Sequence, residues 1–175
     1  FVNAIYGWVR DTAGNLRRTT NGGATWSLVT ARPLPAGPTS LMAVRFANFN
    51  VGVAGMAQAG ACLSWFSRTT DGGLTWSAPQ AGPSNHFTFG TPQIGWGTSH
   101  CDLGPSYSDH LHKTTDGALS WVGLNHADLV YTDLQAYDAE QLFAYSQGAR
   151  VDKSSDGGVT FQSQRTETSY LSSRS

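Results

Sequence analysis

Apolar residues in this chain fall in short segments separated by turns rich in Gly, Thr and Asp, and the same order of segments recurs four times. Each recurrence opens on an aromatic or apolar residue, crosses a turn, and resumes near a Gly followed by another apolar residue. The four openings read Phe1 to Tyr6-Gly7-Trp8, Phe46 to Val51-Gly52-Val53, Phe89 to Ile94-Gly95-Trp96, and Leu134 to Leu142-Phe143-Ala144. A further short segment ends in a basic residue: Leu16-Arg17-Arg18, Phe66-Ser67-Arg68, Leu111-His112-Lys113 and Val151-Asp152-Lys153. Segments of about five residues bounded by such turns read as strands. The chain has no helical period of useful length and no run of Ala, Glu, Lys and Leu.

The turn after each basic residue is the strongest signal. It reads Thr19-Thr-Asn21-Gly-Gly23-Ala-Thr-Trp26, Thr69-Thr-Asp71-Gly-Gly73-Leu-Thr-Trp76, Thr114-Thr-Asp116-Gly-Ala-Leu-Ser-Trp121 and Ser154-Ser-Asp156-Gly-Gly158-Val-Thr-Phe161. Asn21, Asp71, Asp116 and Asp156 lie 50, 45 and 40 residues apart, the period of a repeat architecture. Asp or Asn before Gly-Gly suits a tight hairpin, because these residues tolerate positive φ. The side-chain oxygen can accept hydrogen bonds from N–H groups just downstream, and the closing Trp or Phe packs as a large anchor. Ala118 breaks the glycine pattern in the third copy, so that position prefers glycine without requiring it. Four strands with their turns fill about 40 to 50 residues, the size of one propeller blade. The chain is therefore expected to be all-β: four visible blades, each a four-stranded sheet.

The turn pattern resembles the Asp-box, also called the bacterial neuraminidase repeat, of sialidases, sortilin-type receptors, xyloglucan-cleaving glycoside hydrolases and photosystem II assembly-factor propellers. The longer pattern, from Phe through Gly-Trp to Arg-Thr-Thr-Asp-Gly-Gly, is most similar to the assembly-factor group and its non-photosynthetic bacterial relatives. The resemblance covers nearly the whole chain and is specific for fold, not for activity. In those families the Asp-box lies at the blade periphery, which implies that the four turn acids are structural rather than catalytic.

The repeats are expected at about 1–36, 37–81, 82–126 and 127–175 of one domain. The first begins after the place of its opening strand, and the tail at 168–174 aligns with the opening strand of a repeat, Thr39–Arg45. Either the tail completes a four-bladed ring or the chain is a window of a longer propeller; the second is the favoured expectation.

Eleven basic and twelve acidic residues nearly cancel, and charged residues make up 13%, against about 25% in typical soluble domains. With no basic stripe, nucleic acid and anionic membrane are poor partners, and no apolar run reaches the ~20 residues of a membrane span. Low charge with abundant Ser, Thr, Gly and Asn points to an extracytoplasmic location: secreted, periplasmic or cell-surface. Cys62 and Cys101 precede the Asp-box strand of neighbouring blades, so they are expected to pair in a disulfide; two unrelated buried thiols are the alternative. The disulfide would strengthen the extracytoplasmic reading.

Candidate chemistry is sparse. His110 and His112 share one face of a strand, and with His100, Cys101 and Asp102 they are weak candidates for a metal site. No metal or other cofactor is expected, since the spacing matches no metal motif. Sialidase chemistry would need an arginine triad with a Tyr/Glu pair, yet the chain holds only Glu140 and Glu167. Arg18, Arg68, Lys113 and Lys153 recur once per blade as a possible docking ring, although isolated surface charges are worth little. Trp65 stands where other blades carry polar residues, either in a binding surface or packed beneath the loop at 54–64. The expected function is a non-catalytic protein-binding or assembly-scaffold propeller using the loops at 32–39, 54–63 and 98–109. A secreted glycoside hydrolase and a receptor or adhesin ectodomain are the alternatives, with carbohydrate as a second possible ligand.

Overall fold

The computed structural model describes residues 2–12, 15–30, 39–58, 64–83, 86–99, 110–124, 131–146 and 150–165. The strands are β1 (Gly7–Arg10), β2 (Leu16–Thr19), β3 (Ser27–Leu28), β4 (Thr39–Phe46), β5 (Gly52–Gln58), β6 (Ser64–Thr69), β7 (Gln80–Gly82), β8 (Phe87–Phe89), β9 (Gly95–Ser99), β10 (His110–Thr114), β11 (Val122–Leu124), β12 (Tyr131–Ala136), β13 (Leu142–Ser146), β14 (Val151–Ser154) and β15 (Gln162–Arg165). They form four antiparallel sheets in chain order, β1-β2-β3, β4-β5-β6-β7, β8-β9-β10-β11 and β12-β13-β14-β15. The first has three strands among the described residues and the others four. Every neighbour in a sheet is a neighbour in sequence, as hairpin-linked blades require.

Strand alternation gives each sheet two faces. Opposite one another on one face stand Trp8 and Arg18, Val53 and Arg68, Trp96 and Lys113, and Phe143 and Lys153. In the first three sheets this face is turned toward the next sheet in the chain. The core lies between sheets. Val53 and Phe66 of the second sheet pack with Phe87 and Ala118 of the third. Trp96 and Leu111 of the third pack with Tyr131, Leu134, Leu142 and Ala144 of the fourth. Between the first and second, Trp8 stacks on Phe46 with ring centroids 3.6 Å apart.

Two expectations need correcting. Ala54–Gln58, expected in a loop, belong to β5 and pair with β6, and Thr98 and Ser99 belong to β9. Small residues at Ala54 and Gly55 hid the strand, yet small side chains are what fits there: Ala54 is fully buried, and a Cβ on Gly55 would press into the Phe87 ring. The second correction concerns the fourth repeat. Phe46 stands opposite Gly52 and Phe89 opposite Gly95, but Ala136, not Leu134, holds that place opposite Leu142. The pair has exchanged sizes. A Cβ on Gly52 or Gly95 would come within 2.6 Å of the facing Phe ring, whereas Ala136 leaves room for Leu142.

Candidate functional site

The four repeated turns are built alike. Thr19, Thr69, Thr114 and Ser154 each donate a hydroxyl hydrogen bond of 2.8–2.9 Å to the side-chain oxygen of Asn21, Asp71, Asp116 or Asp156. The same hydroxyls accept from the N–H of Gly23, Gly73, Ala118 and Gly158 at 2.8–2.9 Å. The acid or amide then accepts from the N–H of Thr25, Thr75, Ser120 or Thr160, each at 2.9 Å. In the three acidic copies the hydroxyl of Thr75, Ser120 or Thr160 donates to the second carboxylate oxygen. The glycine after each acid or amide has φ between 69° and 75°, which a Cβ would strain. Among the described non-glycine residues Ala118 alone adopts such a φ, at 71°.

These bonds fix the carboxylates as anions. The Thr75 hydroxyl and N–H, then the Thr69 hydroxyl, hold Asp71 down to about 2. Thr160 and Ser154 hold Asp156 well below the usual carboxylate range. At Asp116 partial burial pushes upward, but bonds from Ser120 and Thr114 outweigh it and the net shift is downward. Groups so committed are poorly placed to exchange protons with a substrate.

Each turn is also tied to an earlier turn, the one between the first two strands in the second to fourth sheets and the one before β1 in the first, a feature missed in the sequence. The N–H of Gly22, Gly72, Gly117 and Gly157 donates to the carbonyl of Ile5, Asn50, Gln93 and Glu140. Those earlier turns are capped by Asn3, Asn48, Thr91 and Asp138, whose side-chain oxygens accept from the N–H groups two and three residues on. Asn, Thr and Asp interchange there, so no single letter repeats. Glu140 has its backbone engaged on both sides in this way.

The recurrent basic residues reach across to the following sheet. A Cβ on Gly72 would meet the Arg18 guanidinium, one on Gly117 the Arg68 side chain, and one on Gly157 the Lys113 ammonium. Lys113 Nζ donates to the Gly157 carbonyl at 3.1 Å, and Trp96 Nε1 to the same oxygen at 2.9 Å. Trp8 Nε1 donates to the Gly72 carbonyl at 3.1 Å. The cations also lie over aromatic faces, Arg18 over Trp8, Lys113 over Trp96 and Lys153 over Phe143, at 5.3–5.8 Å. The Nε atoms of Arg18 and Arg68 are buried without a hydrogen-bond partner.

An open cleft of about 260 Å³ lies between the first and second sheets, lined by Arg18, Thr20, Ser27, Leu28 and Leu74 among others. The residue two places after the turn glycine is exposed and apolar in three copies: Leu74 (64%), Leu119 (46%) and Val159 (63%). Trp65 is half-buried in β6, opposite Met56 and Ala81 and on the face away from Phe66. His112 lies on β10, and among the described residues no three His, Cys, Asp or Glu gather as metal ligands. Cys62, His100, Cys101, Asp102, the His110 side chain, Glu167 and the tail at 168–174 lie outside the described residues.

No protein-family model matches the chain, and no curated protein matches it. Among solved structures it resembles YCF48 bound to D1 peptide, at 20% identity and a TM-score of 0.62, over 97% of this chain and 54% of that one. It also resembles YCF48 from Cyanidioschyzon merolae, at 15% identity and a TM-score of 0.61, over 91% of this chain and 55% of that one. The fold is that of propeller blades. The propeller segment spans about half the length of these solved structures. No described helix is long and apolar enough to cross a membrane.

Proposed function

We propose that this chain is an Asp-box propeller that holds a protein partner and catalyses no reaction, acting as a binding or assembly-scaffold module outside the cytoplasm. The observation that carries the reading is the likeness in fold, over nearly the whole chain, to a YCF48 structure bound to a peptide. The turns lend support. Their carboxylates are consumed by their own hairpins, while Leu74, Leu119 and Val159 stand exposed beside them as the apolar contact positions of the proposal. The open cleft beside Arg18, Leu28 and Leu74 adds a concave surface to this edge. Docking by the recurrent basic residues and by Trp65 belongs to the same proposal.

The test is purification of the tagged chain from its source cells, with mass spectrometry of stoichiometric partners, alongside a Leu74→Asp/Leu119→Asp variant. The partner is expected with the wild type and lost with the variant, whose folding should be intact because both side chains already face solvent. Turnover of a fluorogenic glycoside, abolished by changing a single loop acid, would replace this reading with an enzyme. The extracytoplasmic placement is tested by intact mass before and after reduction: a Cys62–Cys101 disulfide adds two hydrogens on reduction, and no gain would remove that support.

A further inference from the structure

The joint between the second and third sheets lacks a ring that the joints on either side of it possess. On the face turned to the next sheet, the residue opposite the recurrent cation is Trp8 in the first sheet and Trp96 in the third, but Val53 in the second. Each indole lies under its own sheet's cation and donates to the carbonyl of the next sheet's turn glycine, Gly72 or Gly157. Trp8 also stacks on Phe46. Val53 supplies none of these contacts. Among the described residues no side chain donates to the Gly117 carbonyl, and Arg68 has no ring beneath it. Phe89, opposite Gly95 as Phe46 is opposite Gly52, meets no indole from the second sheet. The missing ring leaves a slot of about 100 Å³, lined by Arg45, Phe46, Val53, Thr88, Phe89 and Pro92 among others. Ligand pockets run to about 300–1,000 Å³, so this slot suits a single large side chain. All six tryptophans of the chain are described, and none lines it. Arg45 is exposed there, and its one hydrogen bond among the described residues is a 3.4 Å contact with the carbonyl of its neighbour Val44. No acid lines the slot.

We propose that this slot takes a tryptophan side chain from a protein partner, with a carboxylate beside that tryptophan meeting Arg45. The inference rests on the protein-binding reading above and names the chemistry of the partner. The partner's indole stacks on Phe89 as Trp8 stacks on Phe46, lies under Arg68, and donates its N–H to the Gly117 carbonyl. A phenyl ring or a thioether fills volume without that donor, so tryptophan is the anchor that completes the joint. The acidic flank follows from charge: Arg45 stands at the slot with no carboxylate lining it, and complementary charge selects the partner.

Heteronuclear NMR on the isotope-labelled chain, titrated with the peptide acetyl-Gly-Glu-Trp-Glu-Gly-amide, reads the binding. Saturable shifts are expected at the amides of Val53, Phe89 and Ala118, the last reporting on the Gly117 carbonyl bonded to it. The same peptide with Ala for Trp should bind roughly tenfold more weakly or worse, and Arg45→Glu should weaken binding of the tryptophan peptide severalfold. Val53→Trp supplies the ring from within. It should abolish peptide binding and keep the urea midpoint at or above wild type, whereas an overpacked core position loses stability. No binding by wild type, equal binding of the alanine peptide, or a lowered midpoint in Val53→Trp would each overturn the inference. A stoichiometric natural partner that stays on Val53→Trp overturns it too, yet leaves the protein-binding reading standing; no natural partner on the wild type ends both.

Discussion

Replacing Thr114 with valine isolates what the turn hydroxyl contributes. Thr114 is 1% exposed; its hydroxyl donates to Asp116 Oδ1 at 2.8 Å and accepts from the Ala118 N–H at 2.9 Å. Valine has nearly the same shape and deletes both bonds. The Ala118 N–H is then left buried without an acceptor, which costs about 1–3 kcal/mol. The lost bond to an ionised carboxylate is worth about 1.5–3 kcal/mol, toward the low end here because Asp116 keeps its bonds from Leu119 and Ser120. The two effects overlap, so a loss of about 2–4 kcal/mol is expected, a large part of the ~5–15 kcal/mol typical of a domain. Thr114→Ser keeps both bonds, as Ser154 does in the fourth copy at 2.8 Å each, and should lose only about 0.8 kcal/mol for the methyl. Urea unfolding followed by tryptophan fluorescence measures both, with an unchanged m-value showing that the midpoint shift is a stability change. The reasoning fails if Thr114→Val lies within about 0.5 kcal/mol of wild type, or if Thr114→Ser is as damaging as Thr114→Val.

Acid should unfold the chain through its turns. Asp71, Asp116 and Asp156 have folded-state pKa values below the ordinary 3.8, so their contribution is present above pH 4 and is lost as pH falls through the folded values, toward about 2 for Asp71. Asp71→Asn, which copies Asn21, should flatten the slope of stability against pH between 2 and 4 in urea melts; an unchanged slope would contradict the assignment. The inter-sheet lock is tested at Gly157, where φ is 75° and a Cβ would collide with Lys113 Nζ. Gly157→Ala should cost about 1–2 kcal/mol in backbone strain alone, plus part of the Lys113 bond to its carbonyl. Lys113→Met should recover part of that second loss in the double variant, and strict additivity in a double-mutant cycle would refute the contact.

The strands and turns were legible in the sequence because their causes are local. Asp71-Gly72-Gly73 dictates its hairpin through φ and through bonds spanning two to four residues, and Phe66-Ser-Arg68 alternates as a strand should. The same locality explains the misreadings. Ala54–Gln58 look like loop until Phe87 of the next sheet is placed against Gly55, and the exchange of Phe46/Gly52 for Ala136/Leu142 is visible only once the register is known. The recurrence of Arg18, Arg68, Lys113 and Lys153 was plain, but what the first three touch was not. Lys113 finds the Gly157 carbonyl 44 residues away, and nothing in the intervening sequence announces it.

That contact changes how the basic series can serve a partner. A cation whose nitrogen is bonded to a neighbouring carbonyl, or whose stem fills the space beside a turn glycine, must give up that contact before it can meet an incoming carboxylate. Lys113 is bound in this way, and Arg18 and Arg68 cover Gly72 and Gly117. Each cation is therefore first a joint between one sheet and the next, in keeping with architectures whose stability is a sum of repeat and nearest-neighbour terms. Removing one should loosen two sheets at once, and lost binding in such a variant cannot by itself be ascribed to lost charge. Lys153 lies over Phe143 of its own sheet, and among the described residues no turn glycine lies against it. A partner that reads positive charge at Arg18, Arg68 or Lys113 must therefore compete with a joint between sheets, whereas the exposed Leu74, Leu119 and Val159 offer apolar contact without disturbing one.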